Sequence, residues 1–293
     1  MQVADQRPGV SMSRARISQS LRWIGLLLSL VALAFIALRF RHYSSQLADF
    51  DLSDRAALAL LVMAAVYGLA NLALAEAWRK LLQHLGERRA FSWAFRVYGL
   101  SQLAKYVPGN VFHLASRQVI GMADGVSMGR MAKSVAWELG TISLAAATYS
   151  VFLLLPGETL YAALVFAAVI AASTESLRRL ISGPVATAFL LYQLLLLVSG
   201  ILFFLVLTLV APHISVNAAT VCGAYVVAWL VGMLTPGAPA GLGVREVFLY
   251  GILQSTISQA DLLIAVALGR LVTVGGDLLF YLAASFSAPG KTR

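Results

Sequence analysis

The chain has 293 residues, of which 60% are hydrophobic and only 12% are charged. A soluble domain carries about 25% charged residues, so the composition excludes an ordinary soluble globule and points to an all-α, polytopic helical membrane protein. The formal net charge of +9 is what basic cytoplasmic loops produce, and no nucleic-acid partner is read from it. A single cysteine, Cys222, excludes an intrachain disulfide.

In chain order, residues 1–20 read as a basic cytoplasmic tail, 21–286 as one integral membrane domain with halves at about 21–155 and 159–286, and 287–293 as a second cytoplasmic tail. The first span covers 21–38. It follows Arg14, Arg16 and Arg22 and ends at Arg39 and Arg41 without a small-residue cleavage pattern, so it reads as an uncleaved span, not a signal peptide. The next loop mixes Arg39, Arg41, Asp49, Asp51, Asp54 and Arg55. Ser53 or Asp54 is placed to cap a second span over 56–75. Arg79, Lys80, Arg88 and Arg89 then gather around a lone Glu87. By the positive-inside rule this loop and both termini are cytoplasmic.

Segment 91–106 is aromatic and amphipathic, the pattern of an interfacial or re-entrant helix. It runs into Lys105-Tyr106-Val107-Pro108-Gly109-Asn110-Val111. Proline removes an amide donor and glycine frees the backbone, so no helix passes smoothly through this pair. The following stretch, 111–120, is too short to cross a bilayer, and Arg117, Arg130 and Lys133 bring the chain back inside. Segment 91–120 is therefore predicted to be two half-helices entering and leaving from the cytoplasm. A third span covers 131–155 and holds Glu138; a fourth, short one covers 159–173; a fifth covers 184–210. Segment 217–234 leads into a second break, Thr235-Pro236-Gly237-Ala238-Pro239-Ala240-Gly241-Leu242-Gly243-Val244-Arg245-Glu246. The last span, 261–286, carries Arg270 and Asp277.

An arginine follows each Pro-Gly proline by the same interval, Pro108 to Arg117 and Pro236 to Arg245. Read as about six full spans plus two pairs of broken helices, the second pair enters from outside, the signature of an inverted repeat whose site lies where the breaks meet. Read as eight spans, 217–235 and 244–256 cross the membrane with a Gly-rich turn between them. Charge alone leaves both open.

Both breaks, with Arg117 and Glu138 beside the first, resemble the transmembrane (flippase) region of lysylphosphatidylglycerol synthases and the stand-alone membrane proteins related to it, over roughly residues 20–286. Ala240 departs from the glycine of that pattern. The resemblance implies movement of a lipid between leaflets, or handling of a lipid-linked sugar. The soluble aminoacyl-transfer domain of the full synthases follows the membrane region, and the sequence ends at Arg293, so aminoacyl transfer is not expected.

Charges inside a span are expensive and face a cavity or a partner. Arg117, Glu138, Arg245, Glu246, Arg270 and Asp277 are therefore the candidate site residues, with Pro108, Gly109, Asn110, Pro236, Gly237, Pro239, Gly241 and Gly243 forming the breaks. Arginine holds a phosphate through two hydrogen bonds, and half-helix starts add positive dipole ends. Arg117 and Arg245 are thus expected to bind a lipid phosphate. Glu138 and Asp277 would hold them or carry a coupling proton, with Glu246 and Arg270 in support. The plain alternative is that these charges neutralise one another and fix helix packing, or that the two arginines snorkel to the interface. Lys105 reads as an interfacial anchor. Arg270 and Asp277 share a face but stand two turns apart, roughly 10 Å.

His42, His84, His113 and His213 lack metal-ligand spacing, and no phosphate-binding Gly-rich loop with Lys and Ser/Thr occurs, so no metal, cofactor or ATP hydrolysis is expected. The expected function is transport, not catalysis: a non-ATP-driven flippase for an anionic phospholipid or polyprenyl-phosphate-linked glycan in the cell membrane. Its partners would be membrane lipids and the lipid-modifying enzymes or glycosyltransferases that handle them. Two alternatives stand beside it. One is a membrane glycosyltransferase using Asp49 and Asp51. The other is an accessory subunit of an envelope-lipid assembly.

Overall fold

Helix α1, Asp54–His84, begins where Ser53 accepts a hydrogen bond from the Ala56 amide at 3.3 Å. It runs well beyond the expected end at residue 75. The reason is local: Glu76 takes two hydrogen bonds from Arg79, at 2.6 and 2.7 Å, and pairs with Lys80 at 3.7 Å. These i,i+3 and i,i+4 pairs keep the charged stretch helical, while Ala77, Trp78, Leu81 and Leu82 on its other face are fully buried. Arg79 and Lys80 are thus helix residues, not loop residues.

The computed structural model describes residues 53–107, 112–155, 159–213, 216–235 and 243–287. The N-terminal tail, the first span, residues 288–293, Asp49, Asp51, Pro108, Gly109, Asn110, Pro236, Gly237, Pro239 and Gly241 lie outside the described residues. The protein is an all-α polytopic membrane protein, with no strand among the described residues. After α1 come α2 (Phe91–Gln102), a 3-10 turn (Leu103–Tyr106), α3 (Phe112–Ala123), α4 (Met128–Ala147), a 3-10 turn (Thr148–Ser150) and α5 (Val151–Leu154). Then follow α6 (Thr159–Leu180), α7 (Gly183–Val210), α8 (Ala218–Leu234), α9 (Val244–Leu253) and α10 (Gln259–Phe286). Five helical stretches among the described residues are long and apolar enough to cross a membrane: α1, the continuous α4–α5 run, α6, α7 and α10. Helix α6 has 22 residues, not the short span expected, because Glu175 again neutralises Arg178 and Arg179 near its end.

Contacts between helix ends fix the direction of each crossing. The His84 Nδ1 lies 2.8 Å from the Ser182 Oγ, Arg130 pairs with Glu87 at 2.9 Å, and Arg89 donates to the Asp124 carbonyl at 3.3 Å. The end of α1, the α3–α4 connection and the α6–α7 turn therefore share one end of the bundle, which also carries Arg178 and Arg179. At the opposite end Asn217 donates to the Thr159 hydroxyl at 2.6 Å, joining the starts of α6 and α8.

The broken pairs follow from this. Helix α2 leaves the basic end, and α3 returns to it, since Trp93 Nε1 donates to the Asp124 carboxylate at 2.7 Å. Half of α2 is buried, including Trp93, Val97, Tyr98, Ser101 and Gln102, so it packs inside the bundle and does not lie along its surface. Helix α10 runs antiparallel to α2, with Gly99 against Ala284 and Gln102 against Asp277, so α10 ends at the basic end and starts at the other. Helix α8 starts at that other end, and α9 leads back to it. Ten residues of α9 span about 15 Å, half of the roughly 30 Å of hydrocarbon in a bilayer, so the described helix alone does not cross it. The two pairs enter from opposite ends.

The centre is built by α1, α7 and α10 packing on one another. The α1–α10 crossing is close because glycine meets glycine. A Cβ on Gly276 would stand 2.6 Å from the Ala64 carbonyl oxygen and 2.8 Å from the Gly68 amide nitrogen. Small residues let helix backbones touch in this way, and the crossing sets Asn71, one turn beyond Gly68, beside Asp277.

Candidate functional site

Asp277 has no exposed surface, yet its carboxylate is well supplied with donors. It accepts from Asn71 Nδ2 at 2.9 Å, from Gln102 Nε2 at 3.1 Å and from the Tyr106 hydroxyl, and pairs with Lys105 Nζ at 2.6 Å. Three donors come from the end of the first half-helix and the turn after it; the fourth comes from α1. Lys105, expected as an interfacial anchor, is instead the counterion of Asp277. Burial of a carboxylate is tolerable only when its lone pairs are met, and here the chain just before the first break meets them.

Arg117, near the middle of α3, forms a second buried ion pair, with Glu138 of α4. The Tyr98 hydroxyl donates to the other Glu138 oxygen at 2.8 Å. The guanidinium stacks on the Tyr98 ring at 3.6 Å and lies 5.5 Å from the Trp78 ring, and its Nε reaches Ser101 at 3.4 Å. Arg117 is 1% exposed. Expected as a phosphate ligand, it is enclosed by its own partners, and no lipid phosphate reaches it in this conformation. A charged residue at the centre of a membrane helix costs about 2.5–3.5 kcal/mol on insertion scales; pairing offsets that here.

The third group lies at the second break. Gly243 has φ of +84°, a backbone state for which glycine is suited because it lacks a Cβ. From there α9 begins, and the Glu246 carboxylate folds back to accept the Gly243 amide at 2.7 Å, the helix-side half of a capping box. Its other oxygen accepts from Arg270 Nε at 3.2 Å and from Arg270 Nη2 at 2.5 Å. Glu246 thus ties the start of α9 to α10. It also occupies one of the helix-start donors expected for an anion. Arg245 points elsewhere. Its guanidinium lies 4.1 Å over the Tyr225 ring of α8, and among the described residues it has no carboxylate partner.

Arg245 and Arg270 line a narrow cleft together with Phe203, Tyr225, Val266 and Thr273. Arg270 stands eleven residues into α10, about 16 Å from its start, which is mid-depth for a helix crossing about 30 Å. Arg270 and Asp277 do not pair, as their spacing predicts; each serves a different break. Asp277 holds Lys105, not Arg245.

Sequence reading found every carboxylate in these groups and missed most of the neutral partners. The sequence does not single out Asn71, Ser101 and Tyr225, and Tyr98 is legible only as one aromatic of the amphipathic 91–106 segment. Asn71 did carry a signal, being a polar residue within an apolar run. Among the described residues no cluster of three His, Cys, Asp or Glu side chains is arranged to hold a metal ion. The chain matches no protein-family model, and comparison with curated proteins gives no match.

Proposed function

We propose that the protein moves an anionic lipid between membrane leaflets without ATP, binding its phosphate at Arg245. The observation that carries this reading is the placement of Arg245. It is a cation within the helix bundle, stacked on Tyr225, lining a cleft, without a carboxylate partner among the described residues. Arginine in such a place presents a planar fork of donors suited to a phosphate. The aromatic and aliphatic wall of Phe203, Tyr225 and Val266 suits the region where head group meets acyl chain. Arg270 flanks the anion while Glu246 holds it in place.

In this reading Arg117 and Asp277 position the first broken pair and do not touch the lipid. The two pairs, entering from opposite ends, are the halves that rock against each other to expose the cleft to either side. The basic end faces the cytoplasm, by the positive-inside rule. The gradient of the lipid itself supplies the driving force, and no chemical step is assigned to the chain.

The test is translocation of short-chain fluorescent anionic lipids in proteoliposomes of the purified protein, without nucleotide. Head-group-dependent transfer is expected in the wild type. It should fall by at least about tenfold in Arg245→Ala, the loss of one charge-assisted contact, and be partly retained in Arg245→Lys. Transfer unchanged in Arg245→Ala would remove the site.

A further inference from the structure

Among the described residues the charges inside the bundle do not sum to zero. Arg117 is matched by Glu138, Lys105 by Asp277 and Arg270 by Glu246. Among the described residues Arg245 is left over. The break just before it, 236–242, contains no acidic residue. Arg96, the other half-helix cation without a carboxylate partner among the described residues, lies six residues nearer the basic end than Gln102 and outside this level. One positive charge therefore remains at the cleft, in a part of the bilayer where an uncompensated charge is costly.

We infer that the cleft takes one singly charged phosphodiester head group per chain and turns away diphosphates. This rests on the reading of Arg245 as a phosphate ligand and goes further, to the charge of the ligand. A monoanion restores neutrality at the cleft. A diphosphate brings at least one further negative charge, with Arg270 already neutralised and the Glu246 carboxylate beside it. The Tyr225 ring covers one face of the Arg245 guanidinium and leaves its N–H edge for a two-pronged contact with the two free oxygens of a phosphodiester. The space between Arg245, Arg270 and Tyr225 is narrow in this conformation and does not enclose a whole lipid.

The experiment uses the full chain in phosphatidylcholine nanodiscs. Native mass spectrometry counts added ligand per chain for short-chain phosphatidylglycerol, farnesyl diphosphate and soluble glycerophosphoglycerol. The expected result is one phosphatidylglycerol per chain, held at least about tenfold more tightly than the diphosphate, and lost in Arg245→Ala. Glu246→Gln keeps the helix cap, since glutamine serves at that position, and frees the Arg270 charge; it should shift preference toward the diphosphate. Thr273→Lys adds a cation to the cleft without touching either ion pair and should shift it the same way, which covers the case of an unstable Glu246 variant. Glycerophosphoglycerol binding as tightly as the lipid would assign the site to free phosphodiesters; much weaker binding assigns it to lipid head groups. Diphosphate bound as tightly as phosphatidylglycerol, with both lost in Arg245→Ala, overturns the charge inference and leaves the phosphate site standing. No anionic ligand bound above the phosphatidylcholine background overturns both.

Discussion

Arg117 is held by a carboxylate, a hydroxyl and two aromatic rings, and its partner Glu138 is held in turn by Tyr98. Such a pair adds little net stability over a well-packed apolar pair, but removing one member strands a buried charge. Glu138→Leu alone should therefore destabilise the protein by about 3–5 kcal/mol, read from unfolding in mixed micelles. Arg117→Met combined with Glu138→Leu should recover most of that loss. A double variant as unstable as the single would mean that the pair itself supplies the stability. The sequence shows these six charged residues plainly, because each interrupts an apolar run. It does not show who pairs with whom. The partners are far apart in the chain, and the choice is made by helix packing. Lys105 illustrates the limit: near a break and next to Tyr106 it looks like an anchor, and only the packing of α2 on α10, next to the α1–α10 crossing, brings Asp277 to it.

At the scale of elements, that crossing depends on two glycines. A side chain at Gly276 meets backbone atoms of α1 at under 3 Å, which cannot rotate away. Gly276→Val should lower the melting temperature and cost about 1–3 kcal/mol or more, as overpacked sites do. Gly140→Ala is the contrasting case. Nothing lies within 4 Å of its Cβ position, and helix propensity favours alanine by up to about 1 kcal/mol, so thermal unfolding should be unchanged or slightly later. The helix breaks were readable from Pro-Gly chemistry, and the half-helices on either side of them are present. The lengths of α1 and α6 were not readable, because a run of charges looks like a loop until its i,i+3 and i,i+4 pairs are seen to satisfy one another.

At the scale of the whole molecule, the opposite entry of the two broken pairs is the feature most open to a direct check. Single cysteines at Ser127 and Arg179 should react with a membrane-impermeant maleimide from one side of the membrane, and cysteines at Thr159 and Gln254 from the other. Native Cys222 is buried and should stay silent. Val244→Cys should not react from the side of Ser127. Labelling there would restore two full crossings in place of the second pair.

Helix α10 carries both attachments: Asp277 takes the tip of the first pair and Arg270 takes the start of the second. Its contact with α1 at Gly276 sits next to one attachment and six residues from the other, about 9 Å along the axis. That makes α10 a lever with its fulcrum beside one load. A tilt of about 10° around Gly276 carries Arg270 sideways by roughly 1.6 Å and leaves Asp277 almost where it was. Any such tilt shifts the second motif and its cleft while the first motif stays pinned, so the two motifs, which share their Pro-Gly-to-Arg interval, are unequal in mechanics.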